Sequence, residues 1–191
     1  MMSQTHLIFG MAAFGKPENS RITLAALAGS FIPDASLYLL AGAHLFVLNT
    51  PPQVVFGQLY YSESWQAIFR IDNSIVLWAI TLMLGIMFRA KVVIALCGAA
   101  LLHLFLDFPL HNDDARAHFW PITDWKFISL VSYWDSRYYG HIVGPVEVAA
   151  SLVACVWLFV RFRKRWERGV IAVLTALQLA AAGAYVMGAI T

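Results

Sequence analysis

The chain has 191 residues, 60% of them hydrophobic and only 13% charged, with a formal net charge of +2. A soluble domain carries about 25% charged residues, so this composition excludes an ordinary water-soluble fold and fits a membrane-embedded one. So small a net charge gives no electrostatic footprint for nucleic acid, and the length suits one domain, residues 1–191.

In chain order, Thr5–Phe14 is apolar but has no Lys or Arg before it; Lys16 and Arg21 follow. Those flanks do not fit a secretory signal peptide, and the stretch reads as a short apolar helix. Crossing a bilayer takes roughly 20 apolar residues as helix. Ile22–Leu48 is long enough but contains Pro33-Asp34. There Pro33 is expected to break one helix and Asp34 to N-cap the next, from Ala35 to Leu48. Asn49–Asn73 reads as a loop, closed by the capping residues Asp72-Asn73-Ser74. Ile75–Phe88 and Val92–Phe108, joined by Arg89-Ala90-Lys91, read as a tight hairpin of slightly short helices. Pro109–Ile142 is a second long loop. Gly144-Pro145, with Glu147, then marks a helix start. Val143–Phe162 and Val170–Ala189 are full-length spans, and residues 143–191 form a C-terminal helical hairpin. The expected fold is therefore an all-α, polytopic transmembrane helix bundle with about five spanning segments plus a short N-terminal apolar helix. Cys97 and Cys155 sit inside apolar runs and are expected as buried thiols.

Positive charge orients such a bundle. Lys16, Arg21, Arg89, Lys91, Arg161, Arg163, Lys164, Arg165 and Arg168 fall on one side if the five long segments alternate; these are nine of the thirteen basic residues. The two long loops on the other side carry Glu63, Asp72, Asp113, Asp114, Asp124 and Asp135. The chain is thus expected in a membrane of the bacterial inner-membrane type, with its acidic loops periplasmic. Those loops are rich in Trp and Tyr, among them Tyr60, Tyr61, Trp120, Trp125, Tyr133 and Trp134. Such rings favour the headgroup level, which makes membrane lipids the first expected partners.

The strongest chemical pattern is His103-Leu-Phe-Leu-Asp107, followed by His111, Asp113, Asp114 and His118. Residues four apart share a helix face, so His103 and Asp107 point the same way. Ionisable groups in an apolar segment are costly, and Asp107 also stands at a helix C-terminus, where negative charge is disfavoured. Positive compensation is needed. A divalent metal would supply it, zinc first, since imidazole and carboxylate are ordinary ligands for zinc and also for iron or manganese. The alternative is a His–Asp hydrogen bond with Arg116 supplying the charge. Pro109 ends the helix, so His111 and His118 can return over it from the loop. Asp34, a carboxylate within a spanning segment, also needs a partner. His6 taken alone says little. Gly-x-Ser-x-Gly, Gly-Lys-Ser/Thr and Gly-x-Gly-x-x-Gly patterns are all missing from the sequence.

Taken in order, Thr5-His6-x-x-x-Gly10, Pro33-Asp34, the polar cluster Arg70 to Ser74, and His103-x-x-x-Asp107 resemble the LexA-regulated, membrane-bound metal-dependent hydrolase family of bacteria. The resemblance covers roughly residues 3–125. It implies metal-site roles for His6, Asp34, His103 and Asp107. The family has a His-Arg…Thr-His-Ser stretch where this chain reads Phe69-Arg70-Ile71-Asp72-Asn73-Ser74, so Asn73 stands in place of a histidine. That departure implies an altered ligand set, with Asp72, His111 or His118 substituting, or a loss of catalysis.

The leading functional expectation is a metal-dependent hydrolase with its site at the outer mouth of the bundle, Asp72, Asp113 or Asp114 serving as base. Its expected substrate is a lipid-linked or headgroup phosphoester arriving laterally. The rival is a non-enzymatic helical subunit or assembly factor, bound to a complex partner or to further copies of itself through small-residue stretches such as Ala180–Gly183. Metal or proton transport fits less well, because the ionisable residues gather at one surface.

Overall fold

The computed structural model describes residues 1–188, with side chains through Tyr185. Its helices are α1 (Ser3–Phe14), α2 (Ser20–Gly42), α3 (Pro52–Val54), α4 (Glu63–Asp72), α5 (Ile75–Met87), α6 (Lys91–Asp107), α7 (Gly140–Arg161) and α8 (Arg165–Gly188). No strand occurs among the described residues. Five helical segments there are long and apolar enough to cross a membrane: Ser20–Val47, Glu63–Met87, Lys91–Leu110, Gly140–Arg161 and Arg165–Tyr185. The protein is thus a polytopic helical membrane protein. The expected end of the last span, Ala189, lies outside the described residues.

Local chemistry sets the helix starts. The Asn19 side chain accepts from the backbone N–H of Arg21 and Ile22, Ser62 accepts from Trp65, and Ser74 from Leu77. Arg89, at φ 53°, turns α5 back into α6. Cys97 and Cys155 are buried free thiols, as expected. Many large apolar side chains point outward, Leu39, Phe105 and Val153 among them. In a bilayer this is the lipid-facing surface, since chain–chain contact there gains little from hydrophobicity.

α1 is too short to span, yet it is enclosed by the bundle. Ile8 and Met11 pack with Cys155, Leu158, Phe162, Ile171 and Leu174 of the C-terminal hairpin. Its last carbonyls are taken by Arg161, whose guanidinium donates to Ala12 O at 2.7 Å and Gly15 O at 3.0 Å. A cation at that end also suits the helix dipole. Lys164 Nζ donates to Ser20 Oγ at 3.0 Å, so the basic α7–α8 connection sits against the connection between α1 and α2. α1 therefore begins at the opposite end of the bundle from the basic cluster. That brings His6 to the end where α6 finishes.

Three sequence expectations change. First, Pro33 does not break the helix: α2 runs unbroken through it, and Pro33 is buried. A proline removes one helical hydrogen bond, but inside a membrane protein neighbouring groups can re-satisfy the loosened turn. Here His103 Nδ1 donates to the Ser30 carbonyl at 2.7 Å and Asn73 Nδ2 to the Pro33 carbonyl at 3.1 Å. Asp34 is consequently mid-helix and caps nothing. Second, Asn49–Asn73 is largely helical. α4 buries Trp65 and Phe69, four apart on one face, against Ala41, Val55 and Tyr60, a pattern too short to stand out from the surrounding polar residues. Third, α7 begins at Gly140 after Tyr139 at φ 65°, which leaves Pro145 inside the helix rather than in its first turn.

α2 and α6 pack side by side from their basic ends, where Ile22 and Ala25 meet Ala95. Gly29 makes the approach possible, because a Cβ there would run into the Leu96 carbonyl. Gly29→Ala is expected to overpack this contact and lower stability by about 1–3 kcal/mol, read as a drop in melting temperature of the purified protein. Gly42→Ala, where a Cβ meets nothing within 4 Å, should leave the melting temperature unchanged or slightly higher. Equal behaviour of the two variants would remove the close α2–α6 contact from the account of stability.

Candidate metal centre

α1 and α6 bring His6, His103 and Asp107 into one buried group, with one potential ligand atom from each lying within 4.8 Å of the others. His6 Nε2 is 2.9 Å from Asp107 Oδ1, and His103 Nε2 is 3.3 Å from Asp107 Oδ2. α2 adds Asp34, whose Oδ1 is 3.8 Å from His103 Nε2. Two ligands bound at about 2.0–2.2 Å in a tetrahedron stand a little over 3 Å apart, so these spacings suit a small divalent ion. The four residues that the family resemblance implicates thus converge, although 101 positions separate His6 from Asp107.

Hydrogen bonds decide what the imidazoles offer. Because His103 Nδ1 donates to the Ser30 carbonyl, a neutral ring carries no proton on Nε2. That Nε2 is buried and, among the described residues, lacks a hydrogen-bond partner. Its lone pair then faces carboxylate oxygens of Asp107 and Asp34, an arrangement that repels unless a proton or a cation lies between. The His6 and His103 rings stack at 3.6 Å with an interplanar angle of 13°. Two imidazolium ions cannot share that stack cheaply. A backbone carbonyl that holds the far nitrogen of a ligand imidazole is the usual support of a metal-binding histidine. The buried orphan Nε2 with its pinned Nδ1 is therefore the observation by which the residues fit a divalent metal.

Other charges surround the group. The Met1 amino group hydrogen-bonds to Asp107, and Ser3 Oγ donates to the other side of the cluster at Asp34. Tyr38 OH donates in turn to Ser3 Oγ at 2.9 Å. His111 donates from Nδ1 to the Asp107 carbonyl at 3.0 Å; its Nε2 stands 3.9 Å from Asp107 Oδ2 and 3.8 Å from Asp114 Oδ2. It borders the group without joining it.

A cavity of about 490 Å³ opens beside the cluster, lined by Asp34, Asp107, His111, Asp114, Arg116 and Tyr133 among others. Of the three carboxylates expected as bases, only Asp114 lines it. Trp134 Nε1 holds Asp114 Oδ2 at 3.0 Å, which leaves Oδ1 buried without a partner among the described residues. Asp113 faces Arg137 at 3.7 Å, and Asp72 lies at the end of α4, outside the cavity lining.

His118 is not brought to the cluster. Its Nδ1 donates to the Asn73 carbonyl at 3.0 Å, and its ring packs on Phe108. Asn73 itself donates to the Pro33 and Phe69 carbonyls, so it ties α4 to α2. Asn73 is thus spent on helix packing. Sequence reasoning missed Arg116 as a site residue and treated it only as a countercharge. Its one signal is a lone arginine in the stretch between His111 and His118.

No protein-family model matches the chain, and neither does any characterised protein or any solved structure. Geometry alone therefore carries the functional reading.

Burial lowers the pKa of His118 from its ordinary 6.5 to about 4. The folded state holds this ring neutral, so between those values the unfolded chain binds the extra proton. Its contribution to stability is complete above pH 6.5 and is lost as pH falls toward 4, by roughly 3 kcal/mol. In melting curves across that range, His118→Gln should flatten the acid-side decline. An unchanged decline would assign it to other groups.

Proposed function

We propose that this chain is a metal-dependent hydrolase of the bacterial inner membrane, with its site at the acidic, periplasmic mouth of the bundle. The buried His103 Nε2, unpartnered among the described residues and facing Asp107 and Asp34, carries this reading. His6, His103 and Asp107 would hold the ion, with Asp34 as the fourth ligand, and zinc suits a set of two imidazoles and carboxylates. Such an ion lowers the pKa of a water and polarises a phosphoryl oxygen. Asp114 is placed to take the proton from an attacking water, because Trp134 orients one carboxylate oxygen and leaves the other free. His111, between Asp107 and Asp114, can pass that proton on. The substrate class is a lipid-linked or headgroup phosphoester, since Asp34, Leu37 and Tyr38 of the spanning helix α2 line the cavity.

One observation favours the second reading, a non-enzymatic helical subunit. The Met1 ammonium against Asp107 neutralises this carboxylate as a cation would. In that case the cluster would serve only to lock α1 to α6.

Metal per chain and melting temperature, with and without chelator, separate the two. Wild type should carry about one metal and melt lower after chelation, since a ligand of the native state adds RT ln(1 + [L]/Kd) to stability. Asp107→Asn should lose both the metal and the chelator effect. A wild type indifferent to chelator, with Asp107→Asn melting no lower, hands the protein to the subunit reading.

Orientation has its own test. Reporter fusions after Arg165 should read cytoplasmic, and fusions within residues 115–136 periplasmic. The opposite pattern at both places would put the site on the cytoplasmic face.

A further inference from the structure

Arg116 is 8% exposed, yet among the described residues its guanidinium forms no ion pair and no hydrogen bond, and Nη1 is buried without a partner. A charged group taken out of water and left unpaired is expensive, so its position needs a reason. Aromatic faces hold it there: its Cζ lies 4.1 Å from the centre of the Phe69 ring and 5.3 Å from that of Tyr60. Cation–π contact orients the fork and offsets part of the cost, but it uses none of the five N–H donors. Those donors belong to a residue lining the same cavity as Asp34, Asp107 and Asp114. None of the three carboxylates pairs with it, although each lines that cavity.

We propose that Arg116 is the anion-binding arm of this cavity, taking two non-bridging oxygens of a phosphate-bearing lipid headgroup once a divalent cation occupies the His6–His103–Asp107 cluster. The inference rests on the metal reading above and names its substrate class. Three carboxylates around one cavity repel an anion while the cluster is empty. A bound divalent cation, together with Arg116, offsets those three charges, and a phosphate is the group with enough oxygens to meet metal and arginine together. Arginine presents a planar fork that fits such a pair of oxygens. The cavity, at about 490 Å³, exceeds a bare phosphate and fits a headgroup.

The lipid source follows from α2. Asp34, Leu37 and Tyr38 all line the cavity from one membrane-spanning helix, and Tyr38 is 53% exposed on its outer surface. Phe56, also half exposed, lines the cavity beside them. Carboxylate, aliphatic and half-exposed aromatic side chains in succession lead from the polar cluster to the outer surface of this spanning helix, a path by which a lipid could present its phosphate without leaving the bilayer.

The test uses full-length protein in nanodiscs of zwitterionic lipid, titrated with zinc alone, with zinc plus inorganic phosphate, and with zinc in nanodiscs containing phosphatidic acid. Phosphatidic acid should tighten zinc binding by about tenfold in wild type, as reciprocal coupling between two ligands of one site requires. Arg116→Gln should bind zinc alone within about twofold of wild type and lose that gain. Arg116→Lys keeps a cation over Phe69 if the glutamine variant folds poorly, and should retain only a small part of it. Zinc binding with the same gain in wild type and both variants overturns the proposal while leaving the metal reading intact. An equal gain from inorganic phosphate overturns the lipid assignment. A wild type that binds no zinc overturns both readings together.

Discussion

The approach of α2 to α6 at Gly29 is the constraint from which the site follows. With no side chain at that position, the two backbones come close enough for His103 to reach the Ser30 carbonyl. A carbonyl oxygen has two lone pairs, so that of Ser30 can accept from His103 as well as from the helix. Contact and histidine thus form one unit: the glycine allows approach, and the histidine holds the Ser30 carbonyl through Nδ1 while its other nitrogen is turned toward Asp107 and Asp34. A buried imidazole N–H without an acceptor is costly, so this bond holds the ring orientation strongly.

α1 completes the cluster, and its entry into the bundle depends on a second set of polar contacts. Thr5 Oγ1 accepts from Gln178 Nε2 at 2.6 Å and lies 3.3 Å from Ser151 Oγ, while Glu147 Oε1 accepts from the Met2 N–H at 2.7 Å. These residues come from α7 and α8. Buried polar contacts of this kind fix register between helices more than they add stability, since the membrane-embedded unfolded state finds partners too. The C-terminal hairpin therefore positions His6 without contributing to the cluster itself. Arg161 does the same from the opposite end by taking the last carbonyls of α1.

Much of this was legible in the sequence. The spans follow from apolar length, the hairpin from Arg89-Ala90-Lys91, and the shared face of His103 and Asp107 from their spacing of four. The side of the bundle reached by His6 could be read only from the structure, since α1 is too short to obey an alternation of spans. Pro33 misled because a proline's local effect is to break a helix, whereas its fate here is set by distant donors on α4 and α6. α4 was hidden because its buried face consists of Trp65 and Phe69 amid polar neighbours. Arg116 was hidden for a different reason. An arginine in an acidic loop reads as half of an ion pair, and only coordinates reveal that the nearby acids are engaged elsewhere.

The balance of charge explains why the same residues admit both a catalytic and a structural role. Asp34, Asp107 and Asp114 line one cavity with Arg116. An ammonium at Asp107 is a monovalent solution that satisfies one carboxylate and leaves the His103 lone pair facing two. A divalent ion satisfies the carboxylates and the lone pair at once. Set against three carboxylates, a divalent ion leaves one negative charge to Arg116, which lines the cavity and forms no ion pair among the described residues. Burying an unpaired guanidinium is a net cost to a static scaffold, whereas the proposed anion site would use its donors.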